Sequence, residues 1–137
     1  MRYLLDANVL SEPLRPRPNA TILRLLLENQ DEIATAATVF HELRYGALRL
    51  VSSRRRRDLE LHIDRVIRSN IPILPYDAAA AEWHAAERAR LVSIGRTPPF
   101  IDGQIAAIAA TNGLTLVSAN LADFSAFEGL RLEDWRS

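Results

Sequence analysis

The sequence predicts an α/β fold, a parallel sheet covered by helices on both faces, and three observations predict it. Short apolar runs of strand length recur along the chain, segments with apolar residues at helical spacing stand between them, and glycine or proline marks many of the changeovers. Parallel neighbours need a crossover connection of a dozen or more residues, which those helical segments supply. No internal repeat, low-complexity tract or linker interrupts the pattern, so residues 1–137 are expected to form one domain. A chain of this size buries roughly 68% of the surface its unfolded form exposes, so it needs no disulfide or metal merely to fold.

Each element has a local reason. Residues 2–5 predict a strand and 8–14 a short helix; after the RPRP loop, 19–29 predicts a helix capped by Asn19, with Ile22, Leu23, Leu26 and Leu27 on its inner side. Residues 32–35 predict a second strand, and 39–51 a helix with Val39, Leu43, Ala47 and Leu50 at helical spacing. A helix over 53–69 comes next, carrying Leu59, Ile63, Val66 and Ile67, then a strand at 71–74 closed by Pro75. The alanine-rich helix 77–95 stops at Gly95, and Pro98 and Pro99 lead rigidly into a helix over 100–112. Gly113 should end it in the left-handed conformation, before a strand at 114–118, a short helix at 121–127 and a last strand at 130–132.

Composition excludes several chemistries. Cysteine is absent, which removes thiol nucleophiles, zinc-thiolate sites and disulfides, and fits a reducing compartment. The first apolar run is too short for a signal peptide and none approaches the ~18 uncharged residues of a membrane span, so the expected location is the cytoplasm. Seventeen acids balance seventeen bases, and every base is arginine. Without lysine there is no P-loop lysine, no Schiff base, and no lysine beside an acceptor aspartate. Arginine offers a planar fork matched to phosphate oxygens, although a genome rich in arginine codons explains the same usage.

The chemistry-bearing candidates are acids. Asp6 comes directly after the first strand, at the carboxyl edge where open parallel sheets collect ligands; capping the next helix is its plain alternative. Glu42 has Val39, Leu43 and Gly46 as helical neighbours and is expected near the apolar side, with open space left by Gly46. Asp102 sits beside Ile101, Ile105 and Ala106 on a helix with hardly a polar face, so a nearly buried carboxylate is expected, needing a compensating cation or donors. Asn120 and Asp123, three apart, can face one point. Singly, an ion pair or a cap accounts for Glu42 and Asp123; together, four acids from four segments favour a shared cation, because crowded like charges otherwise drive protonation. Oxygen ligands suit Mg²⁺ or Mn²⁺. His41, His62 and His84 lack ligand spacing and are expected as surface or cap residues.

LLDANVLSEPLRPRPN, HELRYG and PFIDGQIAAIAATNGLTLVSANLADF, with their separations, resemble the PIN domain, specifically the VapC and FitB toxins of bacterial toxin-antitoxin pairs, over essentially the whole chain. The resemblance implies a three-layer α/β/α sandwich with a mainly parallel sheet, an Mg²⁺- or Mn²⁺-dependent ribonuclease site, a homodimer and a small cognate antitoxin. It carries the family's acids onto Asp6, Glu42, Asp102 and Asp123, as both catalytic residues and metal ligands, with Asn8, Ser118 and Asn120 in supporting polar positions. Many relatives read threonine, arginine, then aspartate or asparagine where this chain has Ser118, Ala119 and Asn120. That departure removes one phosphate contact and favours one metal over two.

The expected activity is therefore metal-assisted hydrolysis of RNA phosphodiesters. Arg54, Arg55, Arg56 and Arg57 are candidates for backbone or antitoxin contact, since residues 44–68 hold eight arginines against three acids. A solvated helix start explains that run equally well. Two alternatives remain: a PIN-like module that binds RNA or a partner without cutting, and a small-molecule phosphohydrolase, which the missing lysine and second aspartate disfavour.

Overall fold

The computed structural model describes residues 1–136. Five strands form one sheet in the order β3-β2-β1-β4-β5, every neighbouring pair parallel. They are β1 (Tyr3–Leu5), β2 (Ile33–Ala36), β3 (Ile73–Leu74), β4 (Thr115–Val117) and β5 (Leu132–Glu133). All residues of β1 and β2 are buried. Because side chains alternate across a strand, burial at every position means both faces are covered, the layered arrangement the sequence predicts.

Seven helices connect them: α1 (Ala7–Leu10), α2 (Ala20–Glu28), α3 (Ala37–Leu48), α4 (Arg54–His62), α5 (Ala78–Ser93), α6 (Phe100–Thr111) and α7 (Leu121–Phe124). The predicted 8–14 helix is broken at Ser11, since Pro13 cannot donate to a continuing helix, and a 3-10 turn occupies Glu12–Leu14. The 53–69 helix changes to a π turn over Ile63–Arg68, where it keeps Ile63 and Ile67 fully buried. Asn19 caps α2 by accepting from the Ile22 N–H at 3.0 Å. Gly95 and Gly113 end α5 and α6 at φ of 80° and 67°, the left-handed region that a β-carbon disfavours.

The core runs through Leu4, Leu5, Val39, Ile63, Ile105, Ile108, Leu116 and Phe124, each essentially sealed from water. Burying each such side chain contributes about 1.5–3 kcal/mol. Two predicted core positions are wrong: Leu27 and Val66 face solvent, while Leu25 packs inward on α2. Helical spacing locates a stripe but not its centre. Among the described residues no helix is long and apolar enough to cross a membrane.

Chain order determines where a ligand can enter. From β1 the chain lays β2 and β3 on one side, then crosses to place β4 and β5 on the other. The reversal falls between β1 and β4, and loops leaving adjacent strands in opposite directions open a crevice at their carboxyl ends.

Candidate active site

Asp6 stands at that crevice. Its N–H donates to the Val117 carbonyl at 2.9 Å, extending the β1–β4 ladder by one step. Its carboxylate accepts from the Ala7 N–H and from the Ser118 hydroxyl, both at 2.8 Å, and the residue is only 8% exposed. It therefore caps α1 and also faces the neighbouring strand end. Ser118 Oγ in turn accepts from the Asn120 N–H at 3.0 Å, and Asn8 Oδ1 accepts from the Ala119 N–H at 3.1 Å. Asn8 and Ser118 thus tie the loop after β4 to the loop after β1. Asn120 contributes through its backbone, and the residue is exposed.

The other three acids arrive from separate helices. Glu42 is on α3, Asp102 in the first turn of α6 and Asp123 on α7. Asp123 is exposed; contrary to expectation Glu42 is exposed too, and Asp102 is half-buried rather than nearly buried. Ile101 beside it is itself exposed, so the start of α6 leaves the carboxylate partly wet.

The four nevertheless share one field. Burial pushes the Asp6 carboxyl up, the Ser118 and Ala7 hydrogen bonds pull it down, and Asp123 adds to the rise. Asp102 is raised from 3.8 to about 6 by burial, then by Asp123 and Asp6. Glu42 is raised by lost hydration, then by Asp6 and Asp102, with His41 opposing. Since Glu42 is exposed as a residue, its two acidic neighbours are the firmer cause. No arginine relieves them: none of the four takes part in an ion pair among the described residues. Among the described residues no protein cation pairs with Asp102, where the sequence leads one to expect a compensating group.

The donor set suits a hard divalent ion: oxygen ligands only, crowded, and uncompensated. Among the described residues no three acid or histidine side chains converge tightly enough to cage an ion by themselves. Mg²⁺ needs no such cage, because it keeps several waters and binds through one or two carboxylates. The residues fit the ion on that basis, with Asp6 and Asp102 as the principal oxygens.

The larger clefts lie away from the acids. One of about 690 Å³ is lined by Arg15, Arg54 and Arg55 with Ser11, Leu14 and Asp58. Another, about 580 Å³, is apolar, between α2 and the π turn. Arg54, Arg55 and Arg57 are exposed, but Arg56 holds Glu60 at 2.7 Å and the Leu50 carbonyl at 3.1 Å, so it fastens α4 in place.

Several residues around the site escape sequence reasoning. His84 is a core residue, 2% exposed, its Nδ1 sharing a 2.8 Å hydrogen bond with the Tyr76 hydroxyl. Burial and then Arg88 hold its pKa below the ordinary value, so it is neutral. Ala80, His84 and Leu91 share the buried face of α5, a spacing legible in the sequence. Thr38 donates to Gln104 Oε1 at 3.3 Å and ties the helix of Glu42 to that of Asp102. The buried Glu12 accepts from the Asn19 N–H at 2.8 Å and braces the loop beyond α1. His62, as expected, ends a helix, with Nε2 2.8 Å from the Leu10 carbonyl. His41 is exposed.

Comparison with known proteins places this geometry. The PIN domain family model matches residues 3–130. The chain is 34% identical over 135 residues to the tRNA(fMet)-specific endonuclease VapC of Shigella flexneri, covering 98% of both chains. It is 34% identical over 139 residues to toxin FitB of Neisseria gonorrhoeae, covering 96% of this chain and 97% of that one. Among solved structures, FitAB bound to a DNA fragment matches with a TM-score of 0.89 at 28% identity, over 98% of this chain and 96% of the other. DNA-bound VapBC from Salmonella typhimurium matches with a TM-score of 0.84 at 28% identity, over 98% of both.

Proposed function

The chain belongs to the PIN domain family, and from that premise we propose that it is an endoribonuclease, the toxin of a type II toxin-antitoxin pair, dependent on Mg²⁺ or Mn²⁺. The observation that carries this reading is that Asp6, at the reversal of strand order, is near enough to Glu42, Asp102 and Asp123 for acidic neighbours to raise the pKa values of Asp6, Glu42 and Asp102, with no ion-pair partner for any of the four among the described residues. What sets Asp6, Glu42 and Asp102 apart from other unpaired acids is that each is raised by acidic neighbours, a strain that a bound cation would relieve.

A divalent ion bound by Asp6 and Asp102 would neutralise phosphate charge and lower the pKa of an attacking water. The chain's own contributions are positional. Asp6 is held rigidly by its two donors, so the direction of its remaining lone pairs is fixed. Asp102 brings its carboxylate on the first turn of a helix, where the dipole favours negative charge. Glu42 and Asp123, at the exposed rim, can orient water or receive its proton while the leaving ribose oxygen gains one. Hydrolysis then places a hydroxyl on phosphorus and breaks one P–O ester bond.

The exposed Arg54, Arg55 and Arg57 supply backbone contact for RNA, which needs charge rather than base readout. A small antitoxin occludes the site, two copies of the chain associate, and the protein works in the cytoplasm. Exposed Tyr45, Leu48 and Val51 provide apolar surface for association.

Cleavage of structured RNA with and without Mg²⁺, using Asp6→Asn as control, tests the activity. The reading requires metal-dependent cleavage by the parent protein alone. Cleavage by neither protein would favour the rival, a module that binds RNA or a partner without cutting. Induced expression should arrest growth, with relief on co-expression of the adjacent small reading frame; normal growth with soluble protein would remove the toxin role.

A further inference from the structure

The first turn of α6 carries Asp102 but has no cap of its own: Pro99 precedes it and no side chain accepts from its free N–H groups. Something else must fix where that turn lies. His84 touches it on both sides of the acid. Its ring centroid is 4.8 Å from that of Phe100, two residues before Asp102, and its edge lies against the backbone of Gly103, one residue after. A β-carbon at position 103 would stand 2.1 Å from Nε2 and 2.6 Å from Cδ2 of the ring, closer than any real contact. The ring therefore occupies the space a side chain at 103 would fill. It is itself held from the far side by the Tyr76 hydroxyl, and Arg88 covers Phe100 with its guanidinium carbon 5.3 Å from the ring centre.

We infer that His84 is a positioning residue for the active site: seated between Phe100 and Gly103 and pinned by Tyr76, it sets the approach of the first turn of α6 and so the placement of the Asp102 carboxylate. The inference rests on the proposed role of Asp102. His84 touches no substrate and acts only through the helix. Gly103 is explained by the same contact, since glycine inside a helix is otherwise unfavourable relative to alanine and here it alone admits the ring.

The test is direct binding of Mn²⁺ alone, followed by electron paramagnetic resonance, which needs no RNA and no turnover. Gly103→Ala displaces the ring and should weaken Mn²⁺ binding ~10-fold or more, and His84→Ala similarly, in the range seen when groups behind metal ligands are removed. The double variant removes the ring that the new methyl would strike, so its loss should be smaller than the product of the two single losses. Tyr76→Phe keeps the packing, removes the hydroxyl and should weaken binding roughly 3-fold. Ile108→Val, a buried change elsewhere on the same helix, is the control and should leave Mn²⁺ affinity unchanged while lowering the melting temperature. If the parent protein binds Mn²⁺ and Gly103→Ala, His84→Ala and Tyr76→Phe bind it equally, the positioning role is wrong while the metal site stands. Loss of affinity in Ile108→Val as large as in His84→Ala would also overturn it, as a plain effect of stability. If the parent binds no Mn²⁺, the metal reading itself fails and takes this inference with it.

Discussion

Carboxylates in this molecule live in two kinds of surroundings. In one they are matched: Glu87 takes two bonds from Arg90 at 2.9 Å and the Glu128 N–H at 2.7 Å, and Asp134, directly after β5, is clasped by Arg136. Hydrogen bonds from those arginines hold both acids below the ordinary carboxylate range. In the other, Asp6, Glu42 and Asp102, which have no ion-pair partner among the described residues, are all pushed the other way. The same residue types in one small protein thus show opposite shifts, and the difference is whether arginine was supplied. Acids that stabilise are given partners; acids kept for chemistry are left to find one.

The sharpest way to break that comparison is Asp6→Asn. An amide keeps the cap and the shape but removes the charge most central to the cluster, so RNA cleavage should fall by ~10²–10³-fold, as when other preorganised charge-stabilising groups are removed. Melting temperature should hold or rise, because a raised carboxyl is one the folded state would prefer uncharged. A loss of folding in place of activity would put Asp6 with the structural acids. Next in size is the response to metal. At an Mn²⁺ concentration 100 times its dissociation constant, stabilisation should reach ~2.7 kcal/mol, roughly 8 °C in melting temperature, reversed by chelator and absent in Asp6→Asn. Calorimetry with and without metal measures it. Glu87→Gln sharpens the other side: it should cost about 1–2 kcal/mol in denaturant unfolding through the weakened Arg90 contacts, with RNA cleavage unchanged.

The range of the forces decides how much of this is legible in the sequence. Strand and helix identities are readable because periodicity is local, and the order of turns and caps comes from Asn19, Gly95 and Gly113. Asp6 is readable because the end of a parallel strand is both a sequence position and a place. Asp102 stands out as a site candidate, but its spacing overstates its burial: Ile105 and Ala106 at helical intervals face the core without showing that the helix start, with Phe100 and Ile101, is open to solvent. His84 misleads for the converse reason. A histidine on an alanine-rich helix looks solvated until Tyr76 and Gly103, eight residues earlier and nineteen later in the chain, are brought against it. Arg56 looks like its neighbours in the RRRR run, and only the carbonyl of Leu50 and the carboxylate of Glu60 separate it from them.

The smallest effect tests the comparison most directly, because it needs no RNA and its first step needs no metal. Asp102 has an ordinary value of 3.8 and a folded value of about 6. A carboxyl raised on folding binds its proton more tightly in the native state, so ionisation above pH 6 works against the fold, and that penalty fades as the pH drops toward 4. A rise of about two units corresponds to ~3 kcal/mol at a sealed site, but Asp102 is half-exposed, and solvent screening reduces this to ~1 kcal/mol. Asp102→Asn should therefore be more stable than the parent by about 1 kcal/mol at pH 8 in metal-free urea unfolding, with the gain gone near pH 4. Adding Mn²⁺ at pH 8 should reverse the order, since the ion stabilises only the carboxylate form. A paired structural acid would behave oppositely at both steps: its amide variant would be the less stable at pH 8, and metal would change nothing.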